Sequence, residues 1–351
     1  MHVYFGTYTQ DGDDGVFHYT LNPSTGELAA QSSVGGVANP SFLAVHPTQR
    51  FLYAAIETWP SGKVASFKID PDTAALTLLN QQSSGGSGPC HITLNPTGTT
   101  AIVTNYSGGS VASLPVLDDG TLGPIASFFQ HEGSSGVDAS RQEAPHAHSA
   151  LVDPSGQFVF VADLGLDQIK IYQLNAQTHQ LTPHHVSTYP LHPGAGPRHL
   201  AFHPCASMVY VLNELDASLT TLAWNAKAGK LTHLQTQSTL PDDFQGRKST
   251  AEVAVHPNGQ FLYGSNRGHD SLAIYTINPT THALNLTQHQ PALGQEPRHF
   301  AIDPTGQWLI IAHQKSGSVQ VFSINQATGT LTPTGDPVSV PTPVCVAFFA
   351  G

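Results

Sequence analysis

The amino-acid sequence predicts an all-β fold: a seven-bladed β-propeller with four-stranded blades, whose ring is closed by pairing the N- and C-terminal strands. Two observations predict this fold and its closure. A strand–turn–strand signature occurs six times and a second turn signature seven times, and the two ends of the chain supply the missing seventh copy of the first signature. We expect one propeller domain over residues 1–351.

The first signature is an apolar run, then His, Asp or Asn followed by proline, then a second apolar run, as in RHLAFHPCASMVYVLNE. Its prolines are Pro47, Pro96, Pro154, Pro204, Pro257 and Pro304. Proline cannot continue the ladder of a central strand, so it marks the turn between two strands, A and B, of a hairpin. We therefore expect His46, His203 and His256, which precede proline, to cap these turns.

The second signature is a turn such as N-P-x-T-G-x-L between the last two strands, C and D. Its final leucines are Leu28, Leu76, Leu122, Leu181, Leu231, Leu284 and Leu331, at spacings of 48, 46, 59, 50, 53 and 47 residues. Such a period holds four short strands, as a propeller blade does. The C-terminal PVCVAFFA supplies strand A of the remaining blade and the N-terminal HVYFGTYT supplies strand B. This split favours a ring, which leaves no exposed sheet edge.

The amino-acid composition argues against several classes of partner. The chain has 26 Pro and 32 Gly, and 11% of its residues are charged, which suits short strands and many turns. It has 13 Lys and Arg residues against 24 Asp and Glu residues, and no run of basic residues. We therefore expect neither nucleic acid nor a membrane as partner. MHVYFGTYT enters a strand pattern directly, so we expect no signal peptide, no transmembrane span and a cytoplasmic protein.

Alignment of the repeats on the residue before proline places the start of strand A and the end of strand B at one mouth of the channel. Charged and imidazole side chains concentrate there: His91, His148, Arg198, His199, Glu214, Arg267, Arg298, His299 and His313. Guanidinium groups grip carboxylate or phosphate in a bidentate way, so the mouth suits a small anionic ligand. The alternative is a buried ion-pair network that only closes the channel. For Asn105, structural hydrogen bonding at the B–C turn is the alternative to ligand binding.

Two long segments reach the same mouth. The widest spacing contains FFQHEGSSGVDASRQEAPHAH, with Arg141 and His146, and a second segment, PDDFQGRKSTAE, carries Arg247 and Lys248. We interpret both as rim loops, with polar linkers as the alternative. His146 and His148 lie on one face of a strand and could share a metal. No third ligand is evident in the sequence, so we expect no metal and no cofactor.

Six short motifs carry a resemblance to a known family. They are G-T-Y-T at Gly6, A-P-H-A-H at Ala144, V-A-D-L-G at Val161, G-P-R-H at Gly196, L-N-E at Leu212 and S-N-R-G at Ser265. In combination they resemble the bacterial seven-bladed lactonase family, which includes propeller-type 6-phosphogluconolactonases. That family is similar to the fungal 3-carboxy-cis,cis-muconate lactonising enzyme. The proposed site of the lactonising enzyme, a His, two Arg and a Glu, falls by motif on His148, Arg198, Arg267 and Glu214.

The resemblance implies the fold and the location of the site, and the family includes both lactone hydrolysis and lactone formation. We expect hydrolysis of a small anionic sugar lactone, with 6-phosphogluconolactone as the expected substrate. We expect His148 to act as general base and Arg198 and Arg267 to stabilise the oxyanion. Glu214 is expected to orient the base or act on the leaving alkoxide. The expected substrate-binding residues are His91, Asn105, Arg141, His146, His199, Arg298, His299 and His313, with Arg298 and His299 holding the phosphate or carboxylate. A muconate-type cycloisomerase and a non-catalytic binding propeller are the alternatives.

Overall fold

The computed structural model describes residues 1–10 and 12–349, which form 28 β-strands and no helix. The strands make seven four-stranded sheets, each antiparallel, so the predicted seven-bladed propeller is confirmed. In the described part of the chain, no helix is long and apolar enough to cross a bilayer.

The strands follow the chain around the ring. The first three, β1 (His2–Thr7), β2 (Val16–Leu21) and β3 (Leu28–Val34), belong to blade 7. Blade 1 contains β4 (Pro40–Val45), β5 (Phe51–Ile56), β6 (Lys63–Ile69) and β7 (Leu76–Ser83), and blade 2 contains β8 (Pro89–Leu94), β9 (Thr100–Asn105), β10 (Ser110–Pro115) and β11 (Ser127–Gln130). Blade 3 contains β12 (Ala147–Val152), β13 (Phe158–Asp163), β14 (Gln168–Asn175) and β15 (Gln180–Pro190), and blade 4 contains β16 (Pro197–Phe202), β17 (Met208–Asn213), β18 (Ser218–Asn225) and β19 (Lys230–Ser238). Blade 5 contains β20 (Thr250–Val255), β21 (Phe261–Asn266), β22 (Ser271–Ile277) and β23 (Leu284–Pro291), and blade 6 contains β24 (Pro297–Ile302), β25 (Trp308–His313), β26 (Ser318–Ile324) and β27 (Leu331–Ser339). Strand β28 (Pro343–Phe349) completes blade 7.

Blade 7 closes the ring from both ends of the chain. Strand β28 pairs with β1 in antiparallel register, with His2 opposite Phe349, and the sheet order is β28-β1-β2-β3. The predicted split of the seventh repeat is therefore confirmed. Ala350, the last residue of the predicted PVCVAFFA strand, lies outside the described residues.

The blades are held together by apolar clusters between adjacent sheets. In one of them, Phe160 of blade 3 packs edge-on against Trp224 of blade 4, with ring centroids 4.8 Å apart. Because the central strands are covered on both faces, their sequences are almost continuously apolar rather than alternating. The core thus fixes the angle between neighbouring blades, and with it the spacing of the residues at each mouth.

The histidines before proline join neighbouring blades at the far end of the ring. His46 Nδ1 accepts a hydrogen bond from the Thr48 amide at 3.1 Å, and its Nε2 lies 3.1 Å from the Gly98 carbonyl of blade 2. A Cβ on Gly98 would lie 2.2 Å from that Nε2, so glycine is required there. His203 and His256 accept the amides of Cys205 and Asn258 in the same way and also contact the next blade, so the predicted turn-capping role is confirmed.

Every strand A departs from regular pairing near its start. The pairing register of each A–B hairpin shifts at one place, where two residues of strand A oppose one residue of strand B. The first residue of each such pair is Ser41, Cys90, His148, Arg198, Ala251, Arg298 or Val344. A β-bulge of this kind bends the strand and re-aims a side chain. The ring therefore repeats one distorted position seven times around a single mouth.

Candidate active site

A cavity of about 500 Å³ opens at the mouth where the A strands begin and the B strands end. It brings together five of the predicted site residues: Arg141, His148, Glu214, Arg267 and Arg298. Its other lining residues are Glu57, Trp59, Cys90, Tyr106, Ser107, Asp138, Leu215, Arg247, Lys248 and Ser249. Both long segments thus reach the cavity, as the rim-loop interpretation predicts.

Glu214, which directly follows β17, is the anionic centre of the site. Its Oε1 accepts a hydrogen bond from Arg141 Nη2 at 2.8 Å, and its Oε2 lies 3.1 Å from both Arg198 Nε and Arg267 Nη2. Burial disfavours the charge on Glu214, but the guanidinium groups of Arg267, Arg198 and Arg141 outweigh burial and lower its pKa far below the ordinary value. Glu214 has no hydrogen bond to His148 among the described residues, so orienting that base does not fit its geometry.

Backbone carbonyls hold the two arginines expected to stabilise the oxyanion. Arg198 Nη1 donates to the Ala251 carbonyl, and Arg267 Nη2 donates to the Thr250 carbonyl at 2.8 Å. Arg198 lies just beneath the main cavity, where it lines a smaller space deeper in the channel. Burial and the neighbouring positive charges lower the pKa of both guanidinium groups. A bound anion reduces the repulsion between these positive charges, so the site favours anions.

His148 presents a neutral imidazole to the cavity. Its backbone carbonyl accepts from Thr104 Oγ1 at 3.0 Å and from Cys90 Sγ at 3.1 Å, which fixes the bulge that carries the ring. Among residues 1–10 and 12–349, only the Cys90 thiol, 3.9 Å from Nδ1, forms a hydrogen bond with the ring. Burial, followed by the charge of Arg198, lowers the pKa of His148 well below its ordinary value. The ring is therefore unprotonated at neutral pH, which is the state that a general base requires.

A cluster of rings lies in the channel beneath the site. His199 Nδ1 and His299 Nε2 lie 2.8 and 3.1 Å from the same carboxylate oxygen of Glu252. Phe42 packs against His91 with ring centroids 4.1 Å apart. Burial lowers the pKa of His299 to about 4 and that of His91 and His199 well below the ordinary value. These three histidines, predicted to bind substrate, lie below the main cavity and not on its wall.

Three further predicted binding residues also lie off the wall of the main cavity. Asn105 and His313 donate to backbone carbonyls at 3.1 and 2.8 Å, which matches the structural alternative for Asn105. His146 stacks on Tyr106 with ring centroids 4.5 Å apart and lies behind it. His146 thus acts on the shape of the site through Tyr106.

Glu57 and Tyr106 line the cavity but were not among the predicted site residues. Arg298 Nη2 donates to Tyr8 Oη at 3.0 Å, and Tyr8 Oη donates to Glu57 Oε2 at 2.9 Å. Tyr106 Oη accepts from Arg141 Nη2 at 3.0 Å. Both residues occupy the position of Glu214 at the end of strand B, so the repeat alignment contained the signal that would have found them.

Two buried carboxylates fix the rim loop of residues 131–146. Asp163 lies 2.5 Å from His131 Nδ1 and accepts the His146 amide at 2.8 Å, so it joins both ends of the loop. Asp167 Oδ1 accepts from Gln142 Nε2 and from the Gly196 amide, both at 2.7 Å. These hydrogen bonds connect the loop to the segment before β16. The backbone that carries Arg141 is therefore held in place where its side chain contacts Glu214.

The histidine pair considered as a metal site belongs to no group of three potential ligands among the described residues. The single group there with metal-like spacing is His203, Cys205 and His282, at the far end of the ring. His203 already uses both ring nitrogens in its turn, one with the Cys205 amide and one with the Gly259 carbonyl. His146 and His148 belong to no such group.

The cavity is cationic in an acidic protein. Its lining contains five Arg and Lys side chains and three carboxylates, while the whole chain carries a formal charge of −11. A cavity with this local excess attracts small anions and raises their encounter rate. The arrangement combines a neutral imidazole, fixed guanidinium groups and one ionised carboxylate that holds those groups in place.

Comparison with known proteins places this geometry in a family. The family model "Lactonase, 7-bladed beta-propeller" matches residues 2–348. A 6-phosphogluconolactonase of Bacillus subtilis is 34% identical over 346 residues, which cover 99% of this chain and 97% of that protein. A 6-phosphogluconolactonase of Formosa agariphila is 34% identical over 86% of each chain. The structure of the periplasmic gluconolactonase PpgL of Pseudomonas aeruginosa is similar with a TM-score of 0.94, at 30% identity and 99% coverage of both chains.

Proposed function

Because the chain belongs to the seven-bladed β-propeller lactonase family and is a lactone-hydrolysing enzyme, we propose that its substrate is 6-phosphogluconolactone. The observation that carries this proposal is the cationic cavity, in which His148 faces the same space as Arg267 and Lys248. The names of the Bacillus and Formosa relatives support the same substrate.

In the proposed reaction, His148 removes a proton from a water molecule as the water oxygen attacks the lactone carbonyl carbon. The carbonyl π electrons move to oxygen, and Arg198 and Arg267 stabilise the resulting oxyanion. When the intermediate collapses, the bond between the carbonyl carbon and the ring oxygen breaks. The protonated His148 returns its proton to the leaving alkoxide. The new carboxylic acid then releases one proton, which makes the reaction measurable as acid production.

Glu214 has an electrostatic and positioning role in this proposal. It stays ionised throughout, because three arginines surround it and hold its pKa far below the ordinary value. It keeps the guanidinium groups of Arg198 and Arg267 in place before the oxyanion forms. Preorganised donors of this kind cost no reorganisation at the moment of reaction.

The substrate is tested by following proton release in a pH-stat from freshly prepared 6-phosphogluconolactone, with unphosphorylated gluconolactone alongside. A strong preference in kcat/KM for the phosphorylated lactone supports the proposal. Equal or better hydrolysis of gluconolactone contradicts it. An ultraviolet assay on carboxymuconate forms a third arm, and turnover in that arm alone assigns the chain to lactone formation instead of hydrolysis.

The pH dependence of kcat/KM follows from the lowered pKa of His148 in the free enzyme. A base must be neutral to accept a proton, and burial keeps this imidazole neutral as the pH falls below the ordinary histidine value of 6.5. We therefore expect kcat/KM for gluconolactone, which has no titrating phosphate, to stay within about twofold from about pH 7.5 to about pH 6, and to fall only as the pH passes through the lowered pKa. A fall in kcat/KM for gluconolactone centred near pH 6.5 contradicts the expectation.

A further inference from the structure

Among the described residues, Lys248 is the one cation of the cavity lining whose charge has no partner. The arginines that line the cavity each contact a carboxylate or a tyrosine hydroxyl. Lys248 is exposed, lines the cavity, and has neither an ion pair nor a hydrogen bond from its ammonium group within residues 1–10 and 12–349. In a chain with 24 acidic residues, an unpaired lysine at the mouth of a cationic cavity is available for a ligand.

The segment that carries Lys248 is fixed to the active-site arginine. The Arg267 amide donates to the Ser249 carbonyl at 2.7 Å, and the Arg267 guanidinium donates to the Thr250 carbonyl at 2.8 Å. Ser249 also lines the cavity, and its hydroxyl has no hydrogen-bond partner in the described part of the chain. The backbone therefore holds an ammonium group and a free hydroxyl at the rim, next to the guanidinium expected to stabilise the oxyanion.

We propose that Lys248 and Ser249 form the subsite for the phosphate of a phosphorylated lactone, with the lactone ring lying over His148 and Arg267. A lysine ammonium provides a mobile point charge and a serine hydroxyl a hydrogen-bond donor, and both suit a phosphate monoester. The two residues first expected to hold the anion are engaged elsewhere: Arg298 with Tyr8, and His299 with Glu252. This inference rests on the proposed function, since it assigns the part of the site that distinguishes a phosphorylated from a plain sugar lactone.

The test compares Lys248→Ala with the wild type on 6-phosphogluconolactone and on gluconolactone in the pH-stat. We expect kcat/KM for the phosphorylated lactone to fall about tenfold, mainly through KM, as for the loss of one charge-assisted hydrogen bond. The value for gluconolactone is expected to stay within about twofold, because that substrate lacks the group that Lys248 contacts. Ser249→Ala is expected to shift the same ratio in the same direction by a smaller factor.

Lys227→Ala is the matched control. Lys227 is an exposed lysine in the turn between β18 and β19, outside the cavity lining, so its loss changes the net charge equally and leaves the ratio unchanged. A Lys248→Ala enzyme that keeps the wild-type preference for the phosphorylated lactone overturns the subsite and leaves the proposed function standing. Equal losses on both lactones also overturn it. A wild-type enzyme without that preference overturns the proposed function itself.

Discussion

Replacing His148 by alanine is expected to lower kcat for lactone hydrolysis by about 10²–10⁴-fold, the usual contribution of a positioned general base. The ring lines the cavity, and its one hydrogen-bond contact in the described chain is with the Cys90 thiol, so its removal takes away the base without dismantling the arginine cluster. The initial rate of proton release at saturating substrate measures the effect. Added imidazole is expected to restore part of the rate by occupying the space that the side chain leaves.

Two further variants separate chemistry from folding. His148→Gln keeps most of the side-chain volume and is expected to lose activity to a similar degree, while its thermal unfolding temperature stays close to that of the wild type. His233→Ala removes an exposed histidine of β19, outside the main cavity, and is expected to be fully active. If His148→Ala keeps more than a tenth of the wild-type kcat, His148 is not the general base.

Deleting residues 343–349 together with the two that follow is expected to abolish cooperative folding. The deletion removes β28, which pairs with β1 and packs Val344, Val346 and Phe349 into the core. Burial of three such side chains contributes on the order of 5–9 kcal/mol. That contribution is comparable to the whole stability of a typical domain, about 5–15 kcal/mol. The measurements are thermal unfolding followed by circular dichroism and the elution volume on gel filtration.

A circular permutant provides the control for this deletion. Because His2 lies directly opposite Phe349, a short Gly-Ser linker can join the ends of the chain. New ends are then opened at the exposed turn around Lys227. This permutant keeps every strand pair of blade 7 and is expected to unfold within a few degrees of the wild type. Cooperative unfolding of the truncated chain at the wild-type temperature would show that the ring does not depend on β28.

The blade count and the closure of the ring were predictable from the sequence because both follow from local chemistry. Proline marks each A–B turn, and a turn motif ending in leucine marks each C–D turn, so that counting turns counts blades. The location of the site was also predictable, since equivalent positions of a repeat must lie at the same end of the ring. These inferences need only the period of the chain and the direction of its strands.

The partners of each site residue were not predictable in the same way. The repeat alignment places His148, His199 and Glu214 at one mouth, but it gives neither the depth of a side chain nor its neighbours. His199, the second residue of its bulge, does not line the main cavity, and it lines the smaller space that Arg198 also lines. The type of amino acid does not mark these bulges, because the first bulge residue can be apolar, as Val344 is, or charged, as Arg298 is. Glu214 was expected to orient His148 or to act on the leaving alkoxide, whereas its side chain contacts three arginines.

The bulge at the start of every strand A has a consequence for how chemistry can change on this scaffold. It creates seven equivalent positions around one mouth of the channel, and each position is occupied by a single residue. Four of them hold Cys90, His148, Arg198 and Arg298, and the other three hold the small residues Ser41, Ala251 and Val344. A substitution at one of these positions alters the chemistry of the mouth. It does not disturb the blade, because the pairing between strands A and B is already interrupted at the bulge. New specificities can therefore arise one residue at a time, with the architecture of the ring left unaltered.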